Sequence, residues 1–169
     1  MLDLHTLKDL PARIVLEDDA GRLEMSVDGV TVRGKTRAEM NVMQGDNIYY
    51  CTGLALCDAD LNCGRCLEPY RTTLRGEIDF SIQEVAEGRE LNLDELPENE
   101  LIVSANVEEV DITGPIREAL ILALPLKPLC REDCRGLCPV CGSNRNEHEC
   151  ECKVEKTDSR WDGLRDLLK

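Results

Sequence analysis

Val30-Thr-Val-Arg-Gly-Lys-Thr-Arg-Ala-Glu-Met-Asn-Val-Met43 alternates with a period of two. Val30, Val32, Thr36, Ala38, Met40 and Val42 share one parity, while Arg33, Lys35, Arg37, Glu39 and Asn41 share the other. Successive side chains of a strand point to opposite faces, so this stretch is a half-buried strand. Gly45-Asp46-Asn47 then signals a turn. Ile48 to Leu61 follows as a second strand with apolar residues on both faces: Leu54 and Leu56 on one, Cys51, Ala55, Cys57 and Leu61 on the other. Cover on both sides suits a central place in a sheet. Tyr70 to Ile82 is a third strand, with Tyr70, Leu74, Ile78, Phe80 and Ile82 inward and Arg71, Thr73, Arg75, Glu77 and Asp79 outward. The three segments predict an antiparallel meander. Ala12 to Leu16 and Leu23 to Val27 are weaker strand candidates.

Downstream, Ala86 to Asn99 is polar, acidic and interrupted by Gly88 and Pro97, which reads as a loop. Asp111-Ile-Thr-Gly-Pro-Ile-Arg-Glu-Ala-Leu opens a helix, with Asp111 or Thr113 as cap and Pro115 in the first turn. Ile112, Ile116, Leu120, Ala123 and Leu124 recur at helical spacing, and Pro125 and Pro128 end the run. The expected fold class is α+β: an antiparallel β-meander with one packed helix and a cysteine-rich zinc-knuckle C-terminal segment. The expected divisions are a β domain with its helix over 1–125, a zinc-binding segment over 126–155 and a short amphipathic tail over 156–169, whose Trp161 to Leu168 reads as helical.

The 169 residues can bury a core without disulfides, and with aromatic residues at 3% that core must be aliphatic. No run reaches the roughly 18 apolar residues of a membrane span. Met1-Leu-Asp-Leu-His-Thr-Leu-Lys lacks the basic flank and apolar run of a signal peptide. A cytoplasmic, reducing location is therefore expected, where ten cysteines point to metal or redox chemistry more than to disulfides. The formal net charge is −14, and Glu77 to Asp111 holds twelve acidic residues against one basic residue, Arg89. Such a segment repels nucleic acid and suits a basic protein partner; its bland reading is a solvated loop that keeps the chain soluble.

The cysteines carry the strongest signal. Cys63-Gly-Arg-Cys66 lies between the second and third strands, where a glycine relieves a tight turn and lets two thiolates converge on one ion. Strand signals on both sides argue against a thioredoxin-like pair, which opens a helix. Six more cysteines crowd Cys130-Arg-Glu-Asp-Cys134-Arg-Gly-Leu-Cys138-Pro-Val-Cys141-Gly and Cys150-Glu-Cys152. The economical arrangement is two structural Cys₄ zinc sites: Cys63, Cys66, Cys130 and Cys134, then Cys138, Cys141, Cys150 and Cys152. The first would staple the tail to the sheet. A structural zinc site supplies roughly 10–16 kcal/mol of apparent binding energy, which burial of a few apolar groups at about 25 cal/mol per Å² cannot match in so polar a segment. Alternatives stay open: all eight as free buried thiols, a single zinc in the tail with Cys63 and Cys66 free, His148 in place of Cys150 or Cys152, or zinc release as a redox switch. Cys51 and Cys57 read as core residues.

In this order the motifs resemble the YceD family, the large ribosomal RNA subunit accumulation proteins. The resemblance is carried by Cys63-Gly-Arg-Cys66-Leu-Glu-Pro, the acidic loop, Asp111-Ile with Ile116-Arg-Glu and Ile121-Leu-Ala-Leu-Pro125, the cysteine run, and Ser159-Arg-Trp161-Asp-Gly-Leu. It is weakest before Val30. The family's Asn-Leu-Asn after the Cys-Gly is Asn144-Arg145-Asn146 here, a departure that removes an apolar contact and no ligand. Some members lack the second four-cysteine set, which marks that site as scaffold. The resemblance implies a role in accumulation or maturation of large-subunit ribosomal RNA and supplies no catalytic mechanism.

Four functions compete. One is an assembly factor whose acidic surface meets a basic ribosomal protein or a large-subunit assembly intermediate. Another is direct rRNA contact through Arg33, Lys35, Arg37, Arg65, Arg71 and Arg75 on neighbouring strand faces; few aromatic residues are present to stack on bases. A redox-regulated zinc holdase or sensor is the third. Catalysis is the weakest: His5 and His148 are the only histidines, and neither a phosphate-cradling loop nor an open three-ligand metal signature is present, so no enzyme and no small-molecule substrate are expected.

Overall fold

Strand β3, Val30–Gln44, turns through Gly45, Asp46 and Asn47 into β4, Ile48–Asn62, in this computed structural model, which describes residues 1–4, 11–85, 99–104 and 107–153. Asn47 holds the left-handed conformation, φ 57°, and Gly45 N–H bonds Ile48 C=O at 2.8 Å to close the turn. β5, Pro69–Val85, completes the meander, and β2, Ala12–Asp19, pairs with the far side of β3. With β6, Glu100–Ser104, the sheet order is β2-β3-β4-β5-β6, so β4 is central, although its Leu54 and Leu56 face is only half-buried and not covered as expected.

The inward and outward parities survive an irregularity. The β3–β4 register jumps from Arg33↔Asp58 to Thr36↔Cys57, which inserts two extra residues around Gly34. An even insertion keeps every later side chain on its face. Ala38, Met40, Val42, Cys51, Ala55, Cys57, Leu74, Ile78, Phe80 and Ile82 are all buried on the inner face.

Helix α1, Thr113–Leu122, covers that face. Ile116, Ala119 and Leu120 are its buried residues, at the three- and four-residue spacing of one helical stripe. Burying each of the two larger side chains contributes about 1.5–3 kcal/mol. Asp111 Oδ1 accepts the Thr113 N–H at 2.9 Å, so Asp111 serves the helix start from one residue before the N-cap, Ile112. Gly76 lets the helix lie directly on β5: a methyl there would run into the Ala119 carbonyl. At the helix entrance, β1, Leu2–Asp3, pairs with β7, Glu109–Val110, and buries Leu2 and Val110.

Two further expectations change, and one strand pair is new. The sheet is mixed: β6, Glu100–Ser104, runs parallel to β5, an apolar Leu-Ile-Val run that the acidic surroundings concealed. Leu23 to Val27 is no strand. Asp19 accepts the Gly21 N–H, a 3₁₀ turn spans Ala20–Leu23, and Glu24 is left-handed at φ 47°, so the chain bends where extension was expected. The short β1–β7 pair carries too few residues for periodicity to reveal. The loop over 86–98 and the tail over 156–169 lie outside the described residues. Residues 126–153 contain no regular strand or helix, only an isolated bridge between Leu137 and Asn144.

Candidate metal centres

The first centre grows from the hairpin loop between β4 and β5. Cys63 N–H bonds Glu68 C=O, and Leu67 N–H bonds Cys63 C=O, both at 2.9 Å, folding Cys63-Gly-Arg-Cys66 into a tight turn. The left-handed residue is Leu67, φ 62°, and not Gly64. Gly64 contributes differently from the expected relief of strain: its N–H bonds Pro128 C=O at 2.7 Å and pins the incoming segment. Arg65 holds that segment through three more hydrogen bonds. Its carbonyl accepts Leu137 N–H at 3.0 Å, and its guanidinium donates to the carbonyls of Glu132 and Cys134 at 3.2 and 2.9 Å. Gly136, φ 71°, passes so close to Arg65 that a Cβ would sit 2.9 Å from its carbonyl oxygen.

These bonds bring Cys130 and Cys134 against Cys63 and Cys66. The Cys63–Cys134 sulfurs lie 3.8 Å apart and the Cys66–Cys130 sulfurs 3.7 Å. A disulfide would need about 2.05 Å. Four thiolates at about 2.3 Å from a tetrahedral zinc lie about 3.8 Å from one another, so the spacing fits a metal and not a bond. Cys63, Cys66 and Cys134 are buried, and Cys130 is half-buried.

The second centre is local. Cys138 N–H bonds Ser143 C=O, and Gly142 N–H bonds Cys138 C=O, both at 2.8 Å, with Gly142 left-handed at φ 72°. This turn gathers Cys138 and Cys141 toward Cys150 and Cys152. In both centres the sulfurs lie within 4.8 Å of one another, and each set could hold one metal ion. Cys138 is buried, Cys141 exposed, and Cys150 and Cys152 intermediate, so this site is shallower than the first. His148 joins neither set among the described residues. Cys51 and Cys57 are buried in the sheet core, away from both sets, and burial pushes the Cys51 thiol up to about 11.

The thiols themselves call for a cation. Burial raises Cys63, but the backbone N–H groups of Cys66, Cys130 and Arg65 outweigh it and bring the thiol to about 6. Burial and then the neighbouring thiols of Cys63, Cys134 and Cys66 push Cys130 up to about 12. In the second set, the Ser143 hydroxyl and N–H draw Cys141 down to about 6, while Cys141 and burial push Cys152 up to about 12. Cys63 and Cys141 are thus drawn toward the thiolate and Cys130 and Cys152 toward the thiol; a bound dication would favour the thiolate form.

Asn146 escaped the sequence reading. Its Nδ2 donates to Cys134 Sγ at 3.3 Å and to Asn144 Oδ1 at 2.8 Å, while its Oδ1 accepts Arg135 N–H at 2.8 Å. The Asn144-x-Asn146 spacing inside the knuckle loop was the available signal.

The strand faces give the other candidate surface. Arg33 and Arg71 both bind Asp60, at 2.8 and 3.2 Å, and Arg37 binds Glu17 and Glu39 at 3.0 and 2.9 Å. Thr73 Oγ1 donates to Asp58 at 2.7 Å. Arg65 is committed to carbonyls. Three of the six cations of the expected basic patch, Arg33, Arg37 and Arg71, are therefore engaged by carboxylates within the fold.

Residues 53–168 match the family profile described as large ribosomal RNA subunit accumulation protein YceD. An uncharacterized protein of Mycobacterium tuberculosis is 31% identical over 175 residues, 99% of this chain and 74% of its own. The large ribosomal RNA subunit accumulation protein YceD of Haemophilus influenzae is 42% identical over 78 residues, 46% of this chain and 42% of that one. The chloroplastic YCED homolog 1 of Arabidopsis thaliana is 33% identical over 70 residues, 41% of this chain and 22% of its own. No solved structure matches the chain significantly.

Proposed function

The chain belongs to the family of the large ribosomal RNA subunit accumulation protein YceD, and from that membership we propose that it promotes accumulation or maturation of large-subunit ribosomal RNA through protein partners. It acts in the cytoplasm as a non-catalytic factor that receives a basic ribosomal protein or an assembly intermediate. The observation that carries this reading over direct rRNA binding is the pairing of Arg33, Arg37 and Arg71 with Asp60, Glu17 and Glu39. Phosphate contacts need cations free to displace the nucleic acid's counterions, and these three arginines already engage carboxylates, Arg33 and Arg71 sharing Asp60. The formal charge of −14 points the same way. Among the described residues no helix is long and apolar enough to cross a membrane.

Zinc is the metal we assign to both centres. Soft thiolates in closed sets of four select zinc over the hard cations, and such closed sites are structural. When bound, it ties residues 126–153 to the sheet; this chain's own Gly64, Arg65 and Gly136 orient that segment.

The test is affinity capture from cells at low and high salt, with large-subunit rRNA measured after the gene is deleted. Basic ribosomal proteins that leave at high salt, and a fall in large-subunit rRNA, are expected. Capture of rRNA that persists after the proteins are stripped away would instead favour direct binding.

A further inference from the structure

β4 pairs with one side of β5 over Pro69–Gln83; on the other side β6 pairs only over Ser81–Val85, and among the described residues no strand lies there before Ser81. Backbone groups alternate sides along a strand. Ser81 N–H donates to Asn99 C=O, and the Asn99 side-chain amide donates to Asp79 C=O. By that alternation the N–H and C=O groups of Thr73, Arg75 and Glu77 face the same open edge. An edge of this kind is a template for an added strand.

Helix α1 lies beside the edge, and a groove of about 630 Å³ runs between them. Phe80, Leu101, Pro115 and Leu122 give it an apolar lining, and Leu122 is 85% exposed. Glu77, Asp79, Glu100 and Glu118 also line it, against a single cation, Arg75. No ion pair among the described residues engages those four carboxylates. A second copy of this chain would bring the same carboxylates to the contact, and like charges oppose it.

We propose that the open edge of β5 binds an extended, lysine- or arginine-rich segment of a partner protein as an added strand. Alternate side chains of a strand fall on opposite faces. One set reaches the apolar lining beneath α1; the other meets Glu77 and Asp79 on the outer face. This names the chemistry of the partner and rests on the reading of the chain as a factor that works through proteins.

The probe is a labelled peptide of about eight residues alternating lysine and valine, long enough at about 3.3 Å per residue to span Thr73 to Asp79. It is titrated into the purified, zinc-loaded full chain, followed by anisotropy and by amide exchange. Binding with protection of the Thr73, Arg75 and Glu77 amides is expected. The same peptide N-methylated at alternate amides keeps its charge and should bind at least tenfold more weakly. A chain carrying Glu77→Lys and Glu118→Lys should lose a similar factor. Equal binding of the methylated peptide, or protection elsewhere, would reduce the effect to bulk charge attraction and overturn the proposal. Those amides becoming unprotected only when residues 154–169 are removed would make the chain's own tail the occupant, which also overturns it. Capture from cells separates the two readings. Ribosomal material captured equally by wild type and the double variant sinks the groove and spares the assembly role. Peptide binding without ribosomal capture does the reverse.

Discussion

Asn146, in the loop of the second metal set, donates its side-chain amide to Cys134 Sγ of the first at 3.3 Å. The same hydrogen bond holds the Cys134 thiol below its ordinary value. The two centres are therefore not independent, because a ligand of one is oriented by the frame of the other. Partners of this kind contribute about 10- to 100-fold to metal affinity. Asn146→Ala should weaken zinc retention at the first centre by that factor in a chelator competition, while the second centre keeps its metal. Equal retention at both centres would show the contact to be incidental.

Metal content separates the centres further. The purified chain should carry two zinc ions, and Cys63→Ser or Cys150→Ser should each reduce this to one. Their structural effects should differ. Cys63→Ser frees the segment beyond Pro125 from the hairpin, so limited proteolysis should cut there; Cys150→Ser should leave that attachment protected. Chelation of both ions should reproduce the Cys63→Ser pattern.

Much of this architecture was legible because strand alternation and cysteine spacing are local signals. Val30 to Val42 could be assigned face by face, and the two-residue bulge left that assignment intact. β6 was hidden because a five-residue strand inside an acidic stretch has no period long enough to read. The Leu23 to Val27 expectation failed at Glu24, whose left-handed backbone no composition announces. At the metal centres the sulfurs could be grouped by economy. Arg65 and Asn146 could not be found that way, because their roles depend on carbonyls and thiols distant in sequence.

Gly76 offers a packing test. A methyl at this position collides with the Ala119 carbonyl, which belongs to the helix backbone and cannot swing aside. Gly76→Ala should destabilise the fold by about 1–3 kcal/mol, the usual cost of overpacking, and lower the thermal midpoint. Gly64→Ala is the control, since its Cβ would meet Pro128 C=O at an ordinary 3.4 Å.

Asp60 tests whether ion pairing keeps these arginines from RNA. Hydrogen bonds from Arg33 and then Arg71 hold its carboxyl below the usual carboxylate range. A lowered folded value means the pairing contributes stability that is complete above about pH 4 and is lost as pH falls through the lowered value. Across neutral pH both arginines stay engaged. Asp60→Asn should release them and raise RNA affinity, with a steeper salt dependence, in a filter or mobility assay. Unchanged affinity would mean that other carboxylates shield this face.

The span from Cys66 to Cys130 also sets a timetable. Synthesis at about 5–20 residues per second separates the two halves of the first centre by about 3–13 seconds. All seven described strands and α1 are already made when the second pair of ligands emerges. The nascent chain must therefore carry Cys63 and Cys66 as an uncompleted dithiol through that interval, and a metal held by all four cysteines would be acquired late. Metal binding there would then act as a checkpoint on completion: a chain that terminates before Cys134 has the sheet-forming residues but can never close the clasp.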